Sequence, residues 1–219
     1  MTLPIAENIP EIDFDIEGLR MYSFLCAFLQ NESQSETERK IQSWLLHTVF
    51  SATRHYTKAR DLVVLQNNAD QQRDGGAVLH LLDVSEQVED CIAGVYRSCM
   101  AIRRMTEKNK SCECFIDSHS SKIDQLSKIR NQFEHMHAQI VFGETGNGPI
   151  SIIFSDEGSA IIFRKLKLDV VSIYELLKGL YTVVASMYSG FDANSSIHPG
   201  GGPVKLTISA DWTYTSGDE

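Results

Sequence analysis

The sequence predicts a mainly α-helical protein, a helical bundle in which a β-hairpin is inserted before the last helix. Three observations support this fold class. The five prolines stand at positions 4, 10, 149, 199 and 203, and proline breaks helices, so the long proline-free span favours them. Apolar residues recur at helical spacing in that span. Two short β-branched runs follow it.

The helices are predicted from apolar side chains that recur at three- and four-residue steps. The most regular segment is 36–66, and Ser35 with Glu38 forms a capping box that would satisfy two free amides at its start. A similar pair, Asp83 and Glu86, suggests an interruption of the third helix. The predicted helices are 19–29, 36–66, 77–105, 121–140 and 170–188.

The hairpin is predicted from residues 150–154 and 160–166, which are apolar, β-branched and separated by a glycine-containing loop. With the hairpin at about 150–166, we expect one domain over 1–190 with its core at about 36–190. Residues 191–219 would form a Gly/Pro-rich linker and a tail that could add one strand.

A charged, polar segment at 107–120 predicts a loop. It contains Cys112, Cys114 and His119, which are residue types that bind metals. Structural zinc sites use a second matched pair of ligands, and this sequence offers none. We therefore expect neither a metal nor another cofactor.

The net charge of −9 excludes a protein that coats nucleic acid through a generally basic surface, because phosphate affinity comes from lysine and arginine. Residues 97–130 are nevertheless more basic than acidic. Both a local basic surface and ordinary solvated helix faces explain that bias.

The cellular setting is predicted from the cysteines and from the apolar runs. There are five cysteines, an odd number, and no basic-then-apolar signal segment opens the chain. No apolar run reaches the ~18 residues that span a bilayer. We expect a cytoplasmic protein with reduced thiols and no membrane association.

One short segment, 129–135, carries the functional interpretation. It sets Arg130, Asn131 and His135 within six residues of a predicted helix. Asn131 and His135 are four apart and share a face, whereas Arg130 and His135 are offset by ~140°. Convergence would need a side chain to swing round, or a second copy of the helix opposite, which predicts a homodimer.

These residue types suit cleavage of RNA without a metal. Histidine can take the proton of the ribose 2′-hydroxyl as that oxygen attacks the neighbouring phosphate. Arginine matches phosphate oxygens as charge builds. The ordinary alternative is a surface ion pair between Arg130 and Glu134, with His135 and His137 structural, and residue types alone favour it.

The run Ile-Arg-Asn-Gln-Phe-Glu-His on the third long helix of a bundle resembles the HEPN superfamily. Its ribonuclease members carry arginine, a polar residue, a few further residues and then histidine, and Arg130, Asn131 and His135 match those positions. The resemblance implies a dimeric, metal-independent endoribonuclease in toxin–antitoxin or defence systems, with those three residues catalytic. Lys128, Glu134 and His137 are assigned to RNA binding.

The same resemblance leaves other functions open. Some members of the superfamily are non-catalytic, and serve as protein-interaction or nucleotide-binding modules. An antitoxin or another partner protein is also compatible with it. The acidic net charge favours the interaction module, and the matched triplet favours the nuclease.

Overall fold

The computed structural model describes residues 5–28, 35–71, 80–105, 109–143, 152–188 and 190–191. These residues form six α-helices and one three-stranded antiparallel sheet that precedes the last helix, so the predicted mainly helical class is confirmed. The predicted tail at 191–219 lies outside the described residues, apart from Phe191. The helices are α1 Ile16–Phe28, α2 Glu36–Gln71, α3 His80–Arg103, α4 Lys110–Glu134, α5 Met136–Val141 and α6 Val170–Ser186.

The last helix, α6, lies at the centre of the bundle. It contacts α2, α3 and α4, and Leu176, Leu177, Leu180 and Val184 are fully buried. Burying a leucine side chain stabilises a fold by roughly 1.5–3 kcal/mol, so the burial of α6 contributes strongly to the stability of the fold. One cluster of buried side chains joins these helices to the sheet and to the N-terminal segment.

The start of α2 confirms the predicted capping box. The Ser35 amide donates to Glu38 Oε2 at 2.9 Å, and the Glu38 amide donates to Ser35 Oγ at 3.3 Å. The predicted interruption near Asp83 is wrong, because α3 runs through that residue, which lies in its first turn. A carboxylate there interacts favourably with the positive end of the helix dipole.

The sheet contains the predicted hairpin and one additional strand. Strand β1 Ile153–Ser155 pairs with β2 Ala160–Phe163, and β2 pairs with β3 Leu166–Asp169. The prediction of a single strand over 160–166 is wrong, since the chain turns at Arg164-Lys165. Asp169 occupies the N-cap position of α6, although its side chain makes no capping hydrogen bond.

The predicted loop over 107–120 is the largest error, because α4 begins at Lys110. Asn109 caps it, with its Oδ1 accepting hydrogen bonds from the amides of Ser111 at 2.9 Å and Cys112 at 3.4 Å. Cys112 and Phe115 are buried against the rest of the fold. Contacts to the bundle therefore impose helix on a segment whose composition is polar.

The cysteines of α3 lie in the core. Cys91 and Cys99 are almost completely buried, and burial raises the pKa of Cys99 to about 12. Such thiols stay protonated and unreactive at neutral pH. Within the described ranges, no helix combines the length and apolar character that a membrane span requires.

Candidate functional site

The C-terminal part of α4 has one buried face and one face that reaches solvent. Ile123, Leu126 and Ile129 are completely buried, which fixes the rotation of the helix about its own axis. Asn131 and His135 are consequently exposed, and Arg130 is partly exposed. All three predicted catalytic residues are thus accessible at the same end of α4.

The predicted continuous helix over 121–140 is wrong at His135, where it breaks. His135 has φ −99° and ψ 5°, between the end of α4 and the start of α5. Its amide still donates to the Asn131 carbonyl at 3.1 Å, so the expected four-residue relation between Asn131 and His135 is kept in the backbone. In the part of the chain that the structure describes, its imidazole has no hydrogen-bond partner.

Arg130 is held away from His135 by three contacts. Its Nη2 lies 2.6 Å from Glu134 Oε1, and its Nη1 donates to Asn131 Oδ1 at 3.3 Å. The guanidinium carbon lies 5.0 Å from the centre of the Tyr96 ring on α3, a distance at which cation–π attraction acts. The predicted surface ion pair of Arg130 with Glu134 is therefore present.

Tyr96 is the residue at this site that the sequence did not reveal. It lies beside the apolar stripe of α3, and is partly buried against the core. An aromatic residue next to a helix stripe is ordinarily read as core packing. Only the tertiary contact with Arg130 distinguishes it.

The remaining predicted residues surround this end of α4 without joining into one cluster. Lys128, Glu134 and His137 are all exposed. Among the described residues, no hydrogen bond or ion pair joins Arg130 to His135. One chain therefore brings Arg130 together with Asn131 and Glu134, while His135 stands apart at the helix break.

The turn between β2 and β3 also reaches the site. The Phe163 and Phe133 ring centroids are 4.2 Å apart, and Arg164 Nη1 donates a hydrogen bond to Gln139 Oε1 on α5. The inserted sheet thus contacts the motif helix just before the break and just after it. The sequence predicted the hairpin but not this contact.

No metal-binding constellation of three or more His, Cys, Asp or Glu side chains occurs within the described ranges. Cys112 is buried and Cys114 exposed, since residues two apart on a helix point in different directions. His119 lies against Phe115 instead, with Nδ1 3.0 Å from its carbonyl oxygen. The side chains at the C-terminal end of α4 instead offer a guanidinium that can bind phosphate, from Arg130, and an imidazole that can transfer protons, from His135.

No protein-family model matches this sequence, no curated protein matches it, and no solved structure is significantly similar to it.

Proposed function

We propose that this protein is a metal-independent endoribonuclease that acts as a homodimer, with Arg130, Asn131 and His135 as its catalytic residues. The observation that carries the proposal is the accessibility of all three side chains at one end of a helix whose other face is core. The match of these residues to the HEPN pattern supports the same function. Lys128 and His137, exposed nearby, are proposed to contact the RNA.

The proposed reaction is transfer of phosphorus from the 5′-oxygen to the 2′-oxygen of the neighbouring ribose. The 2′-oxygen forms a bond to phosphorus as its proton passes to an imidazole. The bond from phosphorus to the 5′-oxygen breaks, and that oxygen takes a proton from an imidazolium or from water. The products are a 2′,3′-cyclic phosphate and a 5′-hydroxyl. His135 supplies proton transfer, and Arg130 stabilises the charge on the phosphate.

The ion pair of Arg130 with Glu134 sets a condition on this reaction. A phosphate that binds Arg130 has to share or displace the Glu134 carboxylate, whose side chain is 51% exposed. Exposed pairs are worth ~0.2–1 kcal/mol, and this pair lies at or above the top of that range because the Arg130 side chain is only 29% exposed. A bidentate arginine–phosphate contact can still replace it. Glu134 therefore tunes RNA affinity without blocking the site.

The separation of Arg130 from His135 supports a site shared between two chains. Each guanidinium turns towards Tyr96 of its own chain, while the imidazole stands free at the helix break. A two-fold arrangement would place Arg130 of one protomer opposite His135 of the other. Each dimer would then hold two composite sites.

Complementation between variants tests this arrangement. Arg130→Ala and His135→Ala homodimers are each expected to lose RNA cleavage. When the two proteins are unfolded, mixed and refolded together, half of the dimers are mixed, and each mixed dimer holds one intact composite site. About a quarter of the wild-type activity should return. Mixtures that stay inactive while the wild type cleaves would place each site within one chain.

The assay is cleavage of an RNA oligonucleotide in EDTA, with the product end identified by mass spectrometry. His47→Ala and Arg39→Ala, which remove an exposed histidine and an exposed arginine of α2, are the matched controls and should cleave like the wild type. Equal cleavage by the wild type and by both site variants would identify a contaminating nuclease. Cleavage that EDTA abolishes would contradict the proposed chemistry.

A second candidate is a nucleotide-binding or protein-interaction module that does not cleave RNA. The contact of Arg130 with Glu134 at 2.6 Å favours it, because the guanidinium already has a carboxylate partner. Nucleotide affinity that falls in Arg130→Ala, together with wild-type protein that leaves RNA intact, would select this function. If the protein copurifies with an antitoxin-like partner, that result would support a role in defence for either activity.

A further inference from the structure

Two adjacent residues, the last of β2 and the first of the β2–β3 turn, contact α4 and α5 on either side of His135. Phe163 packs against Phe133, two residues before His135. Arg164 donates to Gln139, four residues after His135. Phe163 is almost completely buried, so the core fixes the turn itself. The pair Phe163-Arg164, which we call the brace, therefore spans the helix break.

Helix α5 has few other attachments to the bundle. None of its residues is buried, and Val141 and Phe142 at its end are 79% and 75% exposed. Among the described residues of α5, Met136 packs partly against the core. Two backbone hydrogen bonds also cross His135, from its amide to the Asn131 carbonyl and from the Gln139 amide to its carbonyl. The bond from Arg164 to Gln139 adds a side-chain link between α5 and the sheet.

Arg164 holds its position at a cost in stability. Its φ is +57°, a left-handed conformation that side chains other than glycine and asparagine adopt with strain. Its Nη2 is buried and has no hydrogen-bond partner within the described residues. The left-handed φ is what the two-residue turn between β2 and β3 requires of its first residue, whereas the buried, unpaired Nη2 is a polar group that turn geometry does not explain.

We propose that Arg164 is a positioning residue, which holds α5 through Gln139 and so sets the orientation of His135. The expected effect on RNA cleavage rests on the proposed nuclease function, whereas the expected effect on the attachment of α5 does not. The turn before the last helix is then part of the site.

Two variants test the brace from opposite sides. Arg164→Gly removes the guanidinium and also relieves the left-handed strain, so its melting temperature should stay within about 3 °C of the wild type or rise. Gln139→Ala removes the acceptor and leaves the turn intact, while alanine favours helix. Lys165→Ala, an exposed cation of the same turn, is the control.

The first readout is hydrogen exchange of the amides 139–142. Both variants should exchange about tenfold faster there than the wild type, with amides 123–129 unchanged. The second is RNA cleavage, in which kcat should fall about tenfold at unchanged KM, because the imidazole is misplaced while RNA still binds. Lys165→Ala should leave exchange and kcat unchanged.

The possible results separate the brace from the nuclease. Wild-type exchange at 139–142 in both variants would overturn the brace, whatever the RNA assay gives. Faster exchange in both variants, with wild-type protein that does not cleave RNA, would support the brace and remove the proposed function. Faster exchange with an unchanged kcat in a cleaving enzyme would overturn the positioning of His135.

Discussion

The two ends of α4 differ in how firmly the fold holds them. At the N-terminal end, Asn109 caps the helix, and Cys112 and Phe115 are buried. At the C-terminal end, the helix breaks at His135, and the short α5 that follows has no buried residue. One helix thus joins an anchored end to a more exposed one, where Phe133 still packs against Phe163.

The two histidines of α4 show what this difference means for chemistry. The His119 ring stacks on Phe115 with centroids 4.7 Å apart, and its Nδ1 contacts the backbone. His135 is exposed and open to a polymer from solvent. A histidine whose ring is stacked serves the structure, whereas an exposed histidine is available for proton transfer.

The largest expected difference is between Phe115, at the anchored end of α4, and Phe142, which follows α5. Phe115→Ala should lower the free energy of unfolding by about 3–5 kcal/mol, because it deletes a buried ring and leaves a cavity. Phe142→Ala, just after α5 and 75% exposed, should change it by less than about 0.5 kcal/mol. Denaturant unfolding followed by circular dichroism measures both. Equal losses would mean that the two ends are held alike.

A smaller effect is expected where the anchored end meets α6. A Cβ at Gly179 would lie 2.7 Å from Phe115 Cε2, so Gly179→Ala should cost about 1–3 kcal/mol through overpacking. The double variant Gly179→Ala with Phe115→Leu should lose less than the sum of the two single changes. Additive losses in thermal or denaturant unfolding would show that the two residues do not share one space.

The asparagines near the two ends of α4 give a third comparison. Asn109→Ala should cost about 1 kcal/mol, since two amides of the first turn lose their acceptor. Asn131→Ala, in the last turn of the same helix, should stay within about 0.5 kcal/mol because its side chain is exposed. The two variants are distinguished by their midpoints of urea unfolding, compared with the same dependence of the free energy of unfolding on urea concentration. A loss at Asn131 as large as that at Asn109 would contradict the difference between the ends.

The fold was predictable where local signals and burial agree. In α2, the helical spacing and the Ser35–Glu38 box point the same way, and the structure has both. At 110–120 the local signals and the burial disagree, because serine and charged residues outnumber the apolar ones. The few apolar side chains there, with Phe115 facing Gly179 on α6, decide the helix through tertiary contact.

The site was predictable only in part, for the same reason. The residue types and spacing of Arg130, Asn131 and His135 are visible in the sequence. The break at His135 has neither proline nor glycine to signal it, and Arg164-Lys165 lacks the usual turn residues, so β3 was missed. The contacts of Tyr96 and Arg164 join residues distant in the sequence, which periodicity cannot reveal.

The smallest expected effect separates stability from function most sharply. His119→Ala should cost about 0.5–1.5 kcal/mol, because it removes a stacked ring from the anchored end. His135→Ala should leave the free energy of unfolding within about 0.5 kcal/mol of the wild type, even where RNA cleavage is lost. Both are measured by urea unfolding of the same preparations used in the RNA assay. A His135→Ala protein that is less stable than His119→Ala would show that His135 contributes to the stability of the fold. Its loss of cleavage would then no longer indicate catalysis.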